Sequence, residues 1–136
     1  MDDFAALLLD PTTSIAVVGA TDNPAKFGGR IYRDLKRKGY RVLAVNPGRE
    51  TVDGDPCYPS LAALPEVPTI VDMVVPPPVT LAVLRQCRDL GFTRVWLQPG
   101  SEDAAVLEYA RENALIARAH DCIMVRAAPP SHTASW

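Results

Sequence analysis

The chain has 136 residues, 48% of them hydrophobic and 22% charged, with a net charge of −2. That is an ordinary globular composition, long enough for one domain around a single core. It excludes a membrane span: the longest apolar run, from Ile70 to Val75, is interrupted by Asp72 and followed by prolines. Asp2 and Asp3 precede Phe4 to Leu9, the reverse of a basic secretory leader, so a cytoplasmic protein is expected. Cys57, Cys87 and Cys122 are an odd set without metal-ligand spacing and read as free thiols, with no metal site.

In chain order, residues 2–9 predict a short amphipathic helix stopped by Asp10-Pro11. Ser14 to Val18 is a β-branched, apolar first strand running into Gly19. Phe27 to Lys38 predicts a helix, with Ile31 and Leu35 on one face and Gly39 as its C-terminal cap. Arg41 to Val45 is the second strand, ended by Asn46-Pro47-Gly48. Residues 49–68 hold Pro56, Pro59, Pro65 and Pro68 and read as turns, with one helical turn after a Ser60 cap.

Thr69 to Val75 predicts the third strand. Pro76, Pro77 and Pro78 then open a helix that Gly91 ends. Arg94 to Gln98 predicts the fourth strand, and Ser101 is the expected cap of a helix reaching about Asn113. Leu115 to Arg118 and Ile123 to Val125 are the last strand pieces; residues 127–136 read as a loose tail.

Strands alternating with helices predict an α/β, Rossmann-like three-layer sandwich around a five-stranded, mainly parallel sheet spanning residues 1–126, with the segment before residue 12 packed on it. In such a sheet ligands sit at the carboxyl ends of the strands. Those ends are Gly19-Ala20-Thr21, Asn46-Pro47-Gly48, Val75-Pro76-Pro77 and Gln98-Pro99-Gly100, predicted to line one crevice.

The charge is unevenly spread. Between Asn23 and Arg49 stand eight basic residues and one acid, Asp34. Lys36, Arg37 and Lys38 suit a helix C-terminus, where the macrodipole favours cations. Lys26 and Arg49 flank turns instead and are candidates for holding an anion. Nucleic acid is a poor match, because only Tyr32 and Tyr40 interleave the basic run.

A standard NAD corner has three glycines in a G-x-G-x-x-G spacing and an acid at the end of strand two. Here the second glycine position is Thr21, the next glycines are Gly28 and Gly29, and strand two ends in Asn46. Asn46 adds no negative charge that would repel a phosphorylated ribose. Lys26 and the Gly28-Gly29 helix start offer donors to a second anionic group. NADP satisfies this charge pattern, and so does coenzyme A with its ribose 3′-phosphate.

The stretches Gly19-Ala20-Thr21, Val45-Asn46-Pro47-Gly48-Arg49 and Val75-Pro76-Pro77-Pro78 resemble, in that order, the CoA-binding domain at the N-terminus of the succinyl-CoA synthetase α subunit. The likeness is closer still to small stand-alone CoA-binding proteins of bacteria and archaea. It rests on Gly19 through Lys26, Gly39-Tyr40-Arg41-Val42 through Pro47, Tyr58-Pro59-Ser60-Leu61, and Val95-Trp96-Leu97-Gln98-Pro99-Gly100. The resemblance implies a Rossmann-like fold and coenzyme A as ligand. By position, Thr21, Asp22, Asn23 and Pro24 would contact the CoA phosphates, and Arg49 would stand where the family's lysine meets a phosphate. Val75 to Pro78 and Trp96, Leu97 and Gln98 would line the nucleotide crevice. Many relatives carry Asp-Arg-Cys where this chain has His120-Asp121-Cys122.

No catalytic constellation is visible. His120 and Cys122 share a parity but lack an orienting third group, and they read as an exposed histidine and a packed cysteine. The expected function is non-catalytic binding of CoA or an acyl-CoA, with a homodimer allowed. Its rivals are an NADP-linked oxidoreductase domain, which would need a proton donor and a substrate domain, and a regulatory or structural subunit with an unfilled crevice.

Overall fold

The computed structural model describes residues 3–129; the predicted first residue of the opening helix and most of the predicted tail lie outside them. The elements are α1 (Phe4–Leu9), β1 (Ser14–Val18), α2 (Phe27–Arg37), β2 (Arg41–Val45), β3 (Thr51–Val52), β4 (Asp55–Tyr58), a 3₁₀ turn (Leu61–Ala63), β5 (Ile70–Met73), α3 (Pro77–Leu90), β6 (Arg94–Leu97), α4 (Ala104–Glu112), β7 (Ile116–Arg118) and α5 (Ile123–Arg126). The fold is Rossmann-like. Its sheet has seven strands rather than the five predicted, in the order β3-β4-β2-β1-β5-β6-β7. All neighbours are parallel except β3 and β4. The chain winds outward from β1 to β2 and β4, then returns to β5 on the other side. The order therefore reverses beside β1, and the rim there opens into a crevice.

The β1 sequence shows why this strand is central. All five of its residues are buried, and they alternate between two cores. Ile15 and Val17 join Phe4, Ile31, Leu35 and Ile123 on the α1/α2/α5 face. Ala16 and Val18 join Leu61, Leu84 and Val106 on the α3/α4 face. A strand covered on both sides reads as a continuous apolar run. Both long helix ends are set by left-handed glycines: Gly39 (φ 99°) after α2, and Gly91 (φ 78°) after α3. At these ends the Tyr40 N–H reaches the Leu35 carbonyl (3.1 Å) and the Phe92 N–H the Cys87 carbonyl (2.9 Å).

Three expectations change. The turn-rich stretch contains the β3–β4 hairpin, which turns at Asp53 (φ 52°) and Gly54 (φ 78°). This Asp-Gly pair suits a tight hairpin, and the neighbouring prolines obscure it in sequence. Ser101 does not cap α4: Asp103 accepts the Val106 N–H at 2.8 Å, while the Ser101 hydroxyl donates to the Gln98 carbonyl. Residues Ile123 to Val125 are helical rather than extended. The reversal at His120 (φ 66°) turns the chain off the sheet edge, and Gln98 Oε1 takes the Ile123 N–H at 3.0 Å.

One buried group works against stability. Asp72, in the middle of β5, stands between Val17 and Trp96 in the register. It is fully buried, and neither carboxyl oxygen has a hydrogen-bond partner among the described residues. Burial pushes its pKa well above the usual carboxylate value. The folded state therefore holds a proton that the unfolded chain releases, and the associated stability, full below the ordinary carboxylate pKa, is lost as pH rises through the raised one. Asp72→Asn is expected to stabilise the protein by about 1–3 kcal/mol at pH 8, with the gain fading towards pH 4. Urea unfolding at the two pH values checks this; an equal gain at both would exclude the titration.

Candidate functional site

The β1–α2 corner is closed by glycines. A Cβ on Gly28 would lie 2.0 Å from the Gly19 carbonyl oxygen, and one on Gly29 would lie 2.6 Å from the Asn23 carbonyl oxygen. Gly19 (φ 100°) is pressed against the chain just past β5, with a notional Cβ 2.5 Å from the Val74 carbonyl oxygen. Gly28 thus does what the third glycine of a dinucleotide fingerprint does: it lets the helix start touch the strand end. The longer loop between them is held by its own side chains. Thr21 Oγ1 accepts the Asn23 N–H (3.2 Å), and Asn23 Oδ1 accepts the Ala25 N–H (2.9 Å). The N–H groups of Phe27 and Gly28 open α2 without an acceptor among the described residues, and no acid occupies the first turn. The positive end of an 11-residue helix points at the rim.

This rim encloses a cavity of ≈ 870 Å³. Of the predicted site residues it gathers Gly19, Thr21, Lys26, Asn46, Arg49, Val75, Pro76 and Gln98 into one wall. Gly19 and Arg49, far apart in sequence, face the same space. Asn46 braces the wall: its Nδ2 donates to the Ala20 carbonyl (2.9 Å) and its Oδ1 accepts the Gly48 N–H (2.9 Å). Gln98 joins β6 to α5, donating from Nε2 to the Cys122 sulfur at 3.3 Å. Arg49 Nη1 lies 3.4 Å from Asp22 Oδ2 across the mouth, and Asp22 Oδ1 accepts the Asp53 N–H at 2.7 Å. Asp22 therefore ties the hairpin turn to the β1–α2 loop.

Other predicted residues lie elsewhere. Trp96 and Leu97 do not line the cavity: both are fully buried and still paired with β5, at Asp72 and Met73. The Trp96 ring packs edge-on to Phe4 with centroids 5.3 Å apart, and its Nε1 donates to the Asp121 carbonyl at 2.9 Å. Leu97 enters the opposite core. Only Gln98, one residue past the ladder, reaches the rim. Ala20 is buried behind the corner, and Asn23 and Pro24 are exposed on the loop's outer side. Pro77 and Pro78 belong to the first turn of α3, and Pro47 borders a shallower hollow shared with Gly48, Arg49 and Cys57.

The cavity also takes in Phe27, Ser101 and Cys122. Phe27 was legible only as the start of a helix. Cys122 is half-buried there, whereas Cys87 is inside the core, where burial pushes its thiol up to about 12. His120 is exposed, with Nδ1 3.8 Å from Glu102.

The fold is a Rossmann-like α/β sandwich with this cavity at the carboxyl rim of its sheet. Residues 13–128 match the family model of the CoA binding domain, and the chain belongs to that family. It is 30% identical over 112 residues to the acetate–CoA ligase (ADP-forming) II of Archaeoglobus fulgidus, covering 79% of this chain and 17% of that protein. It is 34% identical over 73 residues to the acetate–CoA ligase (ADP-forming) I of the same organism, covering 54% and 11%. The chain thus spans under a fifth of these curated relatives. Among solved structures it resembles a conserved hypothetical protein of Pyrococcus furiosus (TM-score 0.81, 39% identity, 83% of this chain and 97% of that one). A Thermus thermophilus protein gives a TM-score of 0.82 at 32% identity over 93% and 96%.

The glycine closure sets a testable limit. Gly28→Ala is expected to cost about 3 kcal/mol, because backbone atoms cannot retreat from the new methyl group. Gly48→Ala, whose nearest new contact is 3.5 Å, should cost under about 1 kcal/mol. Denaturant unfolding of the two variants measures the contrast.

Proposed function

We propose that this chain binds coenzyme A, free or acylated, in the crevice at the carboxyl rim, as a binding module without chemistry of its own. The observation that carries the reading is the meeting of Arg49 with the open start of α2 in one cavity of ligand size. Two separate anionic groups are thereby provided for. The pyrophosphate would sit on the Phe27 and Gly28 N–H groups with Thr21 and Lys26 beside it, and the ribose 3′-phosphate would reach Arg49. Val75 and Pro76 supply an apolar wall, and the pantetheine arm would extend towards Gln98. Asn46 fits this assignment better than an acid would, since a carboxylate there would repel the ribose phosphate. The relatives are named as CoA ligases, which agrees with the ligand. The stretch shared with them is proposed to be the part that holds the nucleotide.

Calorimetric melting of the purified protein against CoA, acetyl-CoA, NADP and NAD tests the reading. A ligand bound by the native state alone raises stability by about 2.7 kcal/mol at a hundred times its Kd. CoA should shift the midpoint and NAD should not; a shift with NADP but none with CoA would overturn the proposal. Arg49→Ala is expected to weaken CoA about tenfold, the worth of one charge-assisted hydrogen bond, and dephospho-CoA much less. Equal loss for both would remove Arg49 from the phosphate. Asp22→Asn keeps the acceptor for Asp53 but releases Arg49 from its ion pair. It should tighten CoA by about two- to fivefold at low salt, as read by isothermal titration.

A further inference from the structure

Resting on the CoA reading, we infer that Phe27 is the stacking platform for the adenine base. Six large apolar side chains are exposed among the described residues, and Phe27, at 60%, is the one aromatic among them. It also borders the cavity, which Leu9, Val67, Val79, Leu90 and Val125 do not. An exposed aromatic beside a ligand cavity offers flat area that water rewards covering.

The ring has a cationic neighbour on one side and a closely packed backbone at its base. On one side the Arg30 guanidinium lies over it, 5.6 Å from the ring centroid, and Arg30 Nε donates to the Pro24 carbonyl at 3.2 Å. That leaves one face of the ring to pack on something else. On the chain's other side, Gly28 and Gly29 fit so tightly against Gly19 and Asn23 that the start of α2 cannot rotate. A platform carried on so tight a backbone needs no ordering of the main chain when a ligand lands on it.

The base is the part of CoA that suits this platform. A purine covers a phenyl ring face to face, whereas the pantetheine arm is a flexible chain with no flat surface. The place agrees as well. Phe27 opens the helix whose preceding loop touches Arg49 through Asp22, at the β1–β2 end of the rim. Gln98 and Cys122 lie at the other end, beyond β5. A base between Phe27 and the Val75-Pro76 wall would have an apolar surface on each side.

Isothermal titration of wild type, Phe27→Ala, Phe27→Leu and Phe27→Trp with CoA and with adenosine 3′,5′-bisphosphate tests the assignment. Phe27→Ala should weaken both ligands by a similar factor, at least about fivefold, the lower end for one base–aromatic stack. Phe27→Trp should keep the affinity, and Phe27→Leu, apolar but not planar, should lose most of it. Loss confined to CoA, with the bisphosphate unaffected, would put the ring on the pantetheine arm and overturn the inference. Unchanged binding in Phe27→Ala overturns it alone, leaving the CoA reading intact. If the wild-type protein binds neither ligand, the CoA reading falls and this inference with it. Melting of the unliganded variants confirms that each is folded.

Discussion

The contact on which the site depends is the one between backbones at the first strand–helix corner. With no side chain at Gly28, the start of α2 can rest against the Gly19 carbonyl at a distance that any Cβ would forbid. Gly19 in turn has none, and so it lies against the Val74 carbonyl, one residue past β5. These approaches bring helix N–H groups, strand ends and the β5 rim to one point. A helix start displaced by even a methyl group would no longer present its free donors to the same space.

Around that point the polar side chains are largely committed to one another. Thr21, Asn46 and Gln98 each accept or donate hydrogen bonds within the rim, and Asn23 does so in the loop beside it. Much of their part is to hold the loops open in a fixed shape, while the charged donors Lys26 and Arg49 remain near solvent. Such a division lowers the ordering cost of binding. It also leaves Arg49 paired with Asp22 at a distance of 3.4 Å and partly exposed, a contact weak enough to be exchanged for a phosphate.

The β3–β4 hairpin takes the place of the helix that usually links the second and third parallel strands. It is short, and so Arg49 stays close to the end of β2 instead of being carried away across a sheet face. Its turn is fastened to the β1–α2 loop through the Asp53 N–H and Asp22. The Lys36 ammonium adds contacts to Asp53 (3.0 Å) and Asp55 (2.9 Å). Asp55 also accepts the Tyr32 hydroxyl at 2.7 Å. The edge of the sheet thereby serves as the frame for the cationic side of the cavity.

The sequence by itself determined the central strands, the two long helices and the glycine stops after them, because apolar periodicity and left-handed caps are local properties. It also marked Gly19, Thr21, Lys26, Asn46, Arg49, Val75, Pro76 and Gln98 as rim residues, since strand ends can be read from where apolar runs break off. Tertiary structure alone decided which neighbours of those ends face inward. Trp96 and Leu97 belong to the apolar run that Gln98 ends, and the ladder to β5 continues through them and buries both. Phe27 gave no signal, because whether the first residue of a helix meets solvent or a cavity depends on how the corner closes. The β3–β4 hairpin around Asp53-Gly54 was hidden by Pro56, which sits in β4 just before Cys57 and Tyr58, the residues that pair with β2. Long-range register, and not local propensity, made those choices.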